Sequence, residues 1–127
     1  MEIIGDGVDI IKNSRINSSL KIKGFLNRIF TKKEIQQGTK LKNKINFYAK
    51  RFAAKEAFSK ALGTGISKGI NFNQIVVLNE KSGKPFIKLI KDTKKNVEKK
   101  LKKKNYKILL SLTDEGEYAV AFVTISI

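Results

Sequence analysis

Cysteine, histidine and tryptophan are all missing from this 127-residue chain, and proline occurs once. Without cysteine there is neither a disulfide framework nor a thiolate metal site. Without histidine, imidazole-activated nucleophiles and the usual zinc ligands are excluded. Acids are scarce as well, 11 against 27 lysines and arginines, which leaves a net charge of +16. No apolar run approaches the roughly 20 residues of a membrane span, and the opening MEIIGDGVDII carries no basic n-region of a secretory signal. These absences favour a cytoplasmic protein with no membrane partner. Its chemistry must run on carboxylates, lysines, hydroxyls, backbone groups or a hard metal ion.

What is present is the composition of a folded domain: 41% hydrophobic and 30% charged residues. The length suits one domain spanning 1–127, with no repeat, linker or break in composition. The positive charge suits an anionic partner: nucleic acid, a membrane surface, a phosphorylated small molecule or an acidic protein. A lysine bias is also what an AT-rich genome produces, so the lysines as a group carry both readings. The three arginines, Arg15, Arg28 and Arg51, are more informative. Their planar forks suit bidentate phosphate or carboxylate contacts.

Residues 2–11 alternate weakly and are rich in isoleucine and valine, which predicts a strand. Over 13–29 the spacing of Ile16, Leu20, Phe25 and Ile29 is helical. Thr31-x-x-Glu34 is a capping box opening a short helix, and 38–45 is a polar loop. A long helix over 46–62 follows, ended by Gly63. The period then changes to two. Residues 72–80 and 84–91 flank the turn Lys81-Ser82-Gly83-Lys84 as a hairpin. Asp92 or Thr93 caps a helix through about 104. A second hairpin, 106–112 with 117–127, turns at Thr113–Gly116. Helices interspersed with antiparallel hairpins predict a compact α+β domain around the long helix.

On that helix Phe47, Ala54, Ala57, Phe58, Ala61 and Leu62 cluster at 100° per residue as a core face. Phe52, Glu56, Ser59 and Lys60 form a second stripe the core does not need. Glu56 and Lys60 are an i, i+4 pair of favourable orientation, which any solvated helix can carry. Gly63-Thr64-Gly65 allows close approach of backbone to a ligand. In the first strand, period two places Gly5, Gly7 and Asp9 on one face and Ile4, Val8 and Ile10 on the other. Glycines beside an acid leave room for something bulky next to it. A capping or edge role for Asp9 stands beside that reading. Two converging carboxylates without histidine or cysteine suit Mg²⁺, which takes one or two carboxylates and completes its shell with water and phosphate.

Three segments in this order and spacing, GDGVDI, RFAAKEAFSKALGTGI and SLTDEGEYAVAFV, resemble the holo-(acyl-carrier-protein) synthases, the short bacterial-type 4′-phosphopantetheinyl transferases. The resemblance extends through Arg15-Ile16, Arg28-Ile29-Phe30-Thr31 with Glu34, and Ser82-Gly83-Lys84-Pro85-Phe86. It implies transfer of the phosphopantetheine arm of coenzyme A to a serine of apo-acyl carrier protein, releasing adenosine 3′,5′-bisphosphate, in support of fatty acid biosynthesis. Asp9 and Glu56 match the family's Mg²⁺ ligands. Glu56, directly or through a metal-bound water, would help deprotonate the serine. Lys60 matches the lysine that neutralises or protonates the leaving phosphate. Arg51, Lys55, Lys60, the Gly63-Thr64-Gly65 turn, Lys84 and Pro85 match positions of the coenzyme A site. Arg15, Lys21, Lys23 and Arg28 match the first helix, which receives the acidic carrier protein. The family fold implies a homotrimer with active sites between protomers.

Two residues depart from the family pattern. Asp114 stands where many relatives carry histidine near the coenzyme A phosphates, so either a lysine compensates its charge or the position contacts something else. Asp6 sits between the two glycines and could flank the metal site as an extra acid. The rival from another class is a nucleic-acid-binding module, favoured by the lysine-rich 94–107 segment. No RNA-binding signature accompanies it, and it leaves Asp9 and Glu56 unexplained, so no nucleic-acid partner is expected.

Overall fold

The structure, a computed structural model, describes residues 1–64 and 69–127. In chain order it runs β1 (Ile3–Lys12), α1 (Asn13–Leu20), α2 (Phe25–Ile29), α3 (Lys32–Thr39) and α4 (Lys44–Leu62). A short 3-10 turn at Phe72–Gln74 follows, then β2 (Ile75–Asn79), β3 (Pro85–Leu89), α5 (Lys91–Leu101), β4 (Lys107–Glu115) and β5 (Tyr118–Ser126). The strands form two antiparallel sheets, β1-β5-β4 and the hairpin β2-β3. This is the expected α+β class. Among the described residues no helix is long and apolar enough to cross a membrane.

Local chemistry accounts for most boundaries. Thr31 Oγ1 accepts from the Glu34 amide while Glu34 Oε1 accepts from the Thr31 amide, so the capping box opens α3 as expected. Asn43 caps α4 through its side chain, which starts that helix two residues before the expected Asn46. Gly63, at φ 82°, ends it in the left-handed conformation that glycine alone adopts without strain. The helical pattern over 13–29 is two helices rather than one. Gly24 at φ 86° breaks the run between Leu20 and Phe25.

Two expectations fail at element ends. Neither Asp92 nor Thr93 caps α5; Ile90 occupies that position without a side-chain bond, and Lys102 in the left-handed region stops the helix well before 104. The final turn is also tighter than expected. Glu115 pairs with Tyr118 across Gly116-Glu117, so Thr113 to Glu115 belong to β4.

Helix α4 is the centre of the molecule. Thirteen of its 19 residues are buried, including Phe52, Lys55 and Ser59, so it has no broad second stripe. A helix apolar or enclosed on nearly all sides is a core helix. Its alanines let β1 approach its backbone. A Cβ added at Gly7 would fall 2.6 Å from the Ala61 amide nitrogen and closer still to the Ala57 carbonyl oxygen, and one at Gly5 would strike the Ala61 carbonyl oxygen. The space beside Gly5 and Gly7 is therefore filled by α4, not left for a ligand. The opposite face of the same sheet carries apolar side chains that the described residues leave exposed, Ile4, Val8, Ile10, Leu109, Tyr118 and Phe122, with Asp6 among them.

Candidate active site

The contact of β1 with α4 fixes where the first acid points. Gly5, Gly7, Asp9 and Ile11 alternate toward the helix, and Asp9 pairs with Ala121 of β5 in the register. From the last turns of α4, Lys60 reaches across. Its Nζ donates to the Val8 carbonyl oxygen at 3.0 Å and to Asp9 Oδ1 at 3.0 Å. The ion pair of Lys60 is thus with β1, not along the helix with Glu56. Glu56, half-buried one turn earlier, lies in the same electrostatic neighbourhood. Burial first and the Asp9 charge second push its carboxyl above the usual range, against the pull of Lys60 and Arg15.

Asp9, Glu56 and Lys60 are therefore brought together, with exposed Arg15 of α1 close enough for its charge to be felt. A pair of crowded carboxylates in a chain without histidine or cysteine is a hard-cation donor set. The Asp9 charge, which adds to burial in raising Glu56, is what a divalent ion held by the two carboxylates would offset, so these residues fit Mg²⁺. Asp6 does not join them. It alternates to the other face of β1, opposite Thr124, and no cluster of three acids forms among the described residues.

The residues expected to contact coenzyme A divide differently. Lys55 is not among them. It is fully buried, and its Nζ donates to Glu34 Oε1 at 2.8 Å, to the Phe72 carbonyl at 2.9 Å and to the Ile75 carbonyl at 2.8 Å. Burial pulls this ammonium down to about 8 while Glu34 holds it charged. Three acceptors in a dry setting satisfy all three donors, which makes Lys55 a staple between α3, α4 and β2.

Arg51 is nearly buried as well, stacked 3.7 Å from the Phe47 ring centroid, and its Nη2 donates to Asn79 Oδ1 at 2.8 Å. Its Nε is buried without a partner among the described residues, and burial pulls its guanidinium down to about 10. Asn79 in turn donates to the Gly83 carbonyl at 2.8 Å, which ties Arg51 to the turn before Lys84 and Pro85. At 100° per residue, Arg51 points about 140° around α4 from Glu56. The site residues therefore form two groups, one at Asp9–Glu56–Lys60 and one at Arg51 with the β2–β3 turn.

Gly63 and Thr64 close the C-terminus of α4, their amides donating to the Lys60 and Ser59 carbonyls. Gly65 lies outside the described residues. On the proposed docking side only Arg15 lies on the first helix; Lys21 and Lys23 occupy the exposed turn after it, and exposed Arg28 ends α2. Asp114 is compensated by a lysine: Lys50 Nζ sits 3.3 Å from its Oδ2. Lys50 and Asn79 were not legible as partners, because both contacts join segments far apart in sequence.

A family model of the 4′-phosphopantetheinyl transferase superfamily matches residues 6–123. The chain belongs to this superfamily. It is 49% identical over 123 residues to a holo-(acyl-carrier-protein) synthase of Pelagibacter ubique, covering 97% of this chain and 96% of that one. Among solved structures, the holo-(acyl-carrier-protein) synthase of Neisseria meningitidis superposes with a TM-score of 0.89 at 34% identity, covering 99% of this chain and 100% of that one. The synthase of Bacillus anthracis, solved in complex with CoA (3′,5′-ADP), superposes with a TM-score of 0.81 at 37% identity, over 98% and 96% of the two chains. The enzyme class and the fold expected from the motifs therefore hold, and the transferase reading replaces the nucleic-acid module.

Proposed function

We propose that this phosphopantetheinyl transferase moves the 4′-phosphopantetheine arm of coenzyme A onto a serine of apo-acyl carrier protein, with Asp9, Glu56 and Lys60 as its reaction centre. The observation that carries the assignment of residues is the meeting of Lys60 and Asp9 at the β1–α4 contact, Nζ 3.0 Å from Oδ1, with Glu56 one turn earlier and close enough that the Asp9 charge adds to burial in pushing its carboxyl up. Asp9 and Glu56 are the residues that would hold Mg²⁺. When bound, the ion supplies charge neutralisation at the pyrophosphate.

The serine oxygen forms a bond to the phosphorus that bears the pantetheine arm, and the bond from that phosphorus to the adenosine bisphosphate oxygen breaks. Glu56 takes the serine proton on its carboxylate. The ammonium of Lys60 faces the charge that develops on the leaving phosphate. Positioning and neutralisation carry such a transfer more than a strong nucleophile does.

The working unit we propose is a homotrimer. Its interface is the uncovered apolar face of β1-β5-β4, where Val8 and Ile10 flank Asp9 and Val8 pairs with Phe122. Monomers seldom leave such a patch in water. Burying it beside Asp9 would let the Asp9–Glu56–Lys60 group of one protomer share a coenzyme A molecule with the Arg51 group of its neighbour. Arg15 and Arg28, with Lys21 and Lys23, form the basic surface for the acidic carrier protein. The absence of cysteine suits a reducing compartment, and the cytoplasm is the setting proposed. Release of adenosine 3′,5′-bisphosphate, followed with coenzyme A, Mg²⁺ and apo-carrier protein, tests the reading; release without carrier protein, or none with it, counts against it.

A further inference from the structure

Arg51 and Lys55 lie one turn apart on α4, both buried, and the fold treats the two cations differently. Lys55 has an acid at 2.8 Å and an acceptor for each of its three donors. Arg51 has no acid in contact among the described residues, and its single hydrogen bond to them runs from Nη2 to Asn79 Oδ1. Its Nε is buried without an acceptor there. The Glu34 charge reaches Arg51 from a distance, but that carboxylate already accepts from Lys55 and from the Thr31 and Val77 amides. An arginine placed only to hold the fold together would not leave a buried donor open, because an unmade bond in a dry setting destabilises. A nearly buried guanidinium with open donors and no counter-charge suits an anion from outside the chain.

Asn79, the last residue of β2, supplies the one acceptor, and it is neutral. Its Nδ2 donates to the Gly83 carbonyl at 2.8 Å, across the turn that precedes Lys84 and Pro85. Main-chain bonds already close that turn, from the Gly83 amide to the Glu80 carbonyl at 2.9 Å and from the Glu80 amide to the Lys84 carbonyl at 2.8 Å. The side chain is thus not needed to cap the loop, and it joins the guanidinium to it. An aspartate in its place would bond Arg51 more strongly and cancel its charge. We infer that Asn79 is a positioning residue for coenzyme A, a neutral acceptor that orients Arg51 beside the Lys84–Pro85 turn and leaves its charge available to the anionic groups of the ligand. The inference rests on the reading above that Arg51 and this turn line the coenzyme A site. Asn79 acts through Arg51 and takes no part in the Asp9–Glu56–Lys60 group.

The test is the affinity for coenzyme A alone, by calorimetry with Mg²⁺ and no carrier protein, alongside steady-state kinetics and Tm. Asn79→Ala should weaken coenzyme A binding about three- to tenfold, the range of one lost hydrogen bond. Asn79→Asp should weaken it at least as much while Tm holds or rises, because the new ion pair serves the fold and neutralises the ligand site. In both variants kcat at saturating coenzyme A and the KM for carrier protein should stay near wild type. In an Arg51→Gln background, Asn79→Ala should lose most of its effect, since residues acting as one unit are not additive. Wild-type affinity in Asn79→Asp overturns the inference, as does an Asn79→Ala loss that is undiminished without Arg51. Weaker binding matched by a fall in Tm in both variants would make Asn79 a turn staple and overturn it too. Should Arg51→Gln weaken coenzyme A while neither Asn79 variant does, the reading of the site stands and the positioning role is removed. An Arg51→Gln protein of wild-type affinity overturns that reading, and the positioning role with it.

Discussion

Lys60 on α4 and Asp9 on β1 meet at 3.0 Å across the strand–helix contact, 51 residues apart in sequence. The contact exists because Gly5 and Gly7 carry no Cβ, so β1 can lie against the backbone of α4 at Ala57 and Ala61. The same approach brings the Asp9 charge to bear on Glu56. One packing feature therefore brings two carboxylates and an ammonium into one neighbourhood.

Asp9→Asn and Glu56→Gln should each lose more activity than the ~10–100-fold typical of removing a group one step back from a metal. Both should remain folded. The pKa of Glu56 is raised in the folded state, so its contribution to stability is present below the unfolded value of 4.5 and is lost as pH rises through the folded one. At neutral pH its ionisation opposes folding. Glu56→Gln should therefore match or exceed wild-type Tm at pH 7 while being inactive, and the difference should vanish near pH 4. Carboxyl NMR of Glu56 in metal-free protein should show titration above 4.5, moving down as Mg²⁺ is added. A Glu56→Gln enzyme with near-wild-type rate contradicts the assignment.

Gly7→Ala tests the packing feature directly. The added methyl meets main-chain atoms of α4, which cannot rotate away as a side chain would. Overpacking of this kind costs about 1–3 kcal/mol, and we expect the upper end, read as a drop in Tm. Activity should fall further than stability explains, since β1 must move off α4 and carry Asp9 away from Glu56. A Gly7→Ala protein of unchanged Tm and rate would remove the close strand–helix contact from the explanation.

Much of this was legible in the sequence because it is local. The capping box at Thr31 and Glu34, the glycine end of α4 and the β2–β3 turn depend on neighbours within a few residues. Helix α4 was harder. Its Glu56 and Lys60 stood out, but Phe52 and Ser59 looked like companions on a functional stripe and are core. A helix enclosed on nearly every side gives no amphipathic contrast from which to read a face. Lys55 failed for a related reason. The family resemblance carries Lys55 over as a coenzyme A contact, and nothing local reveals that Glu34, 21 residues earlier, is fully buried against it. The alternation in β1 was correct, yet its apolar side faces outward, since the sheet's core is the glycine side.

That outward face yields a prediction about assembly. Val8→Asp combined with Phe122→Asp places acids on paired positions of an uncovered apolar sheet and should not unfold a monomer. By sedimentation, wild type should run as a trimer and the double variant as a monomer with little activity. Wild-type protein that is a fully active monomer would exclude shared sites.

Charge reversal at Arg28 separates docking from chemistry. Exposed charges mainly steer encounter, so Arg28→Glu should lower kcat/KM for carrier protein and flatten its salt dependence, leaving the KM for coenzyme A nearly unchanged. Arg15→Glu should do the same but also shift the acid limb of the pH profile upward, because Arg15 helps hold Glu56 down. Reversals among the lysines of 94–107 should cost less. If they cost as much, the charge acts as a diffuse field and no docking surface centred on Arg15 and Arg28 exists.

The most direct measurement is the intact mass of an apo-acyl carrier protein after incubation with this enzyme, coenzyme A and Mg²⁺. We expect the carrier protein to gain the mass of one phosphopantetheine arm on its serine with wild type, and no gain with Asp9→Asn or in excess chelator. A carrier protein of unchanged mass with wild-type enzyme, or full modification by the Asp9→Asn variant, would contradict a transferase centred on Asp9, Glu56 and Lys60.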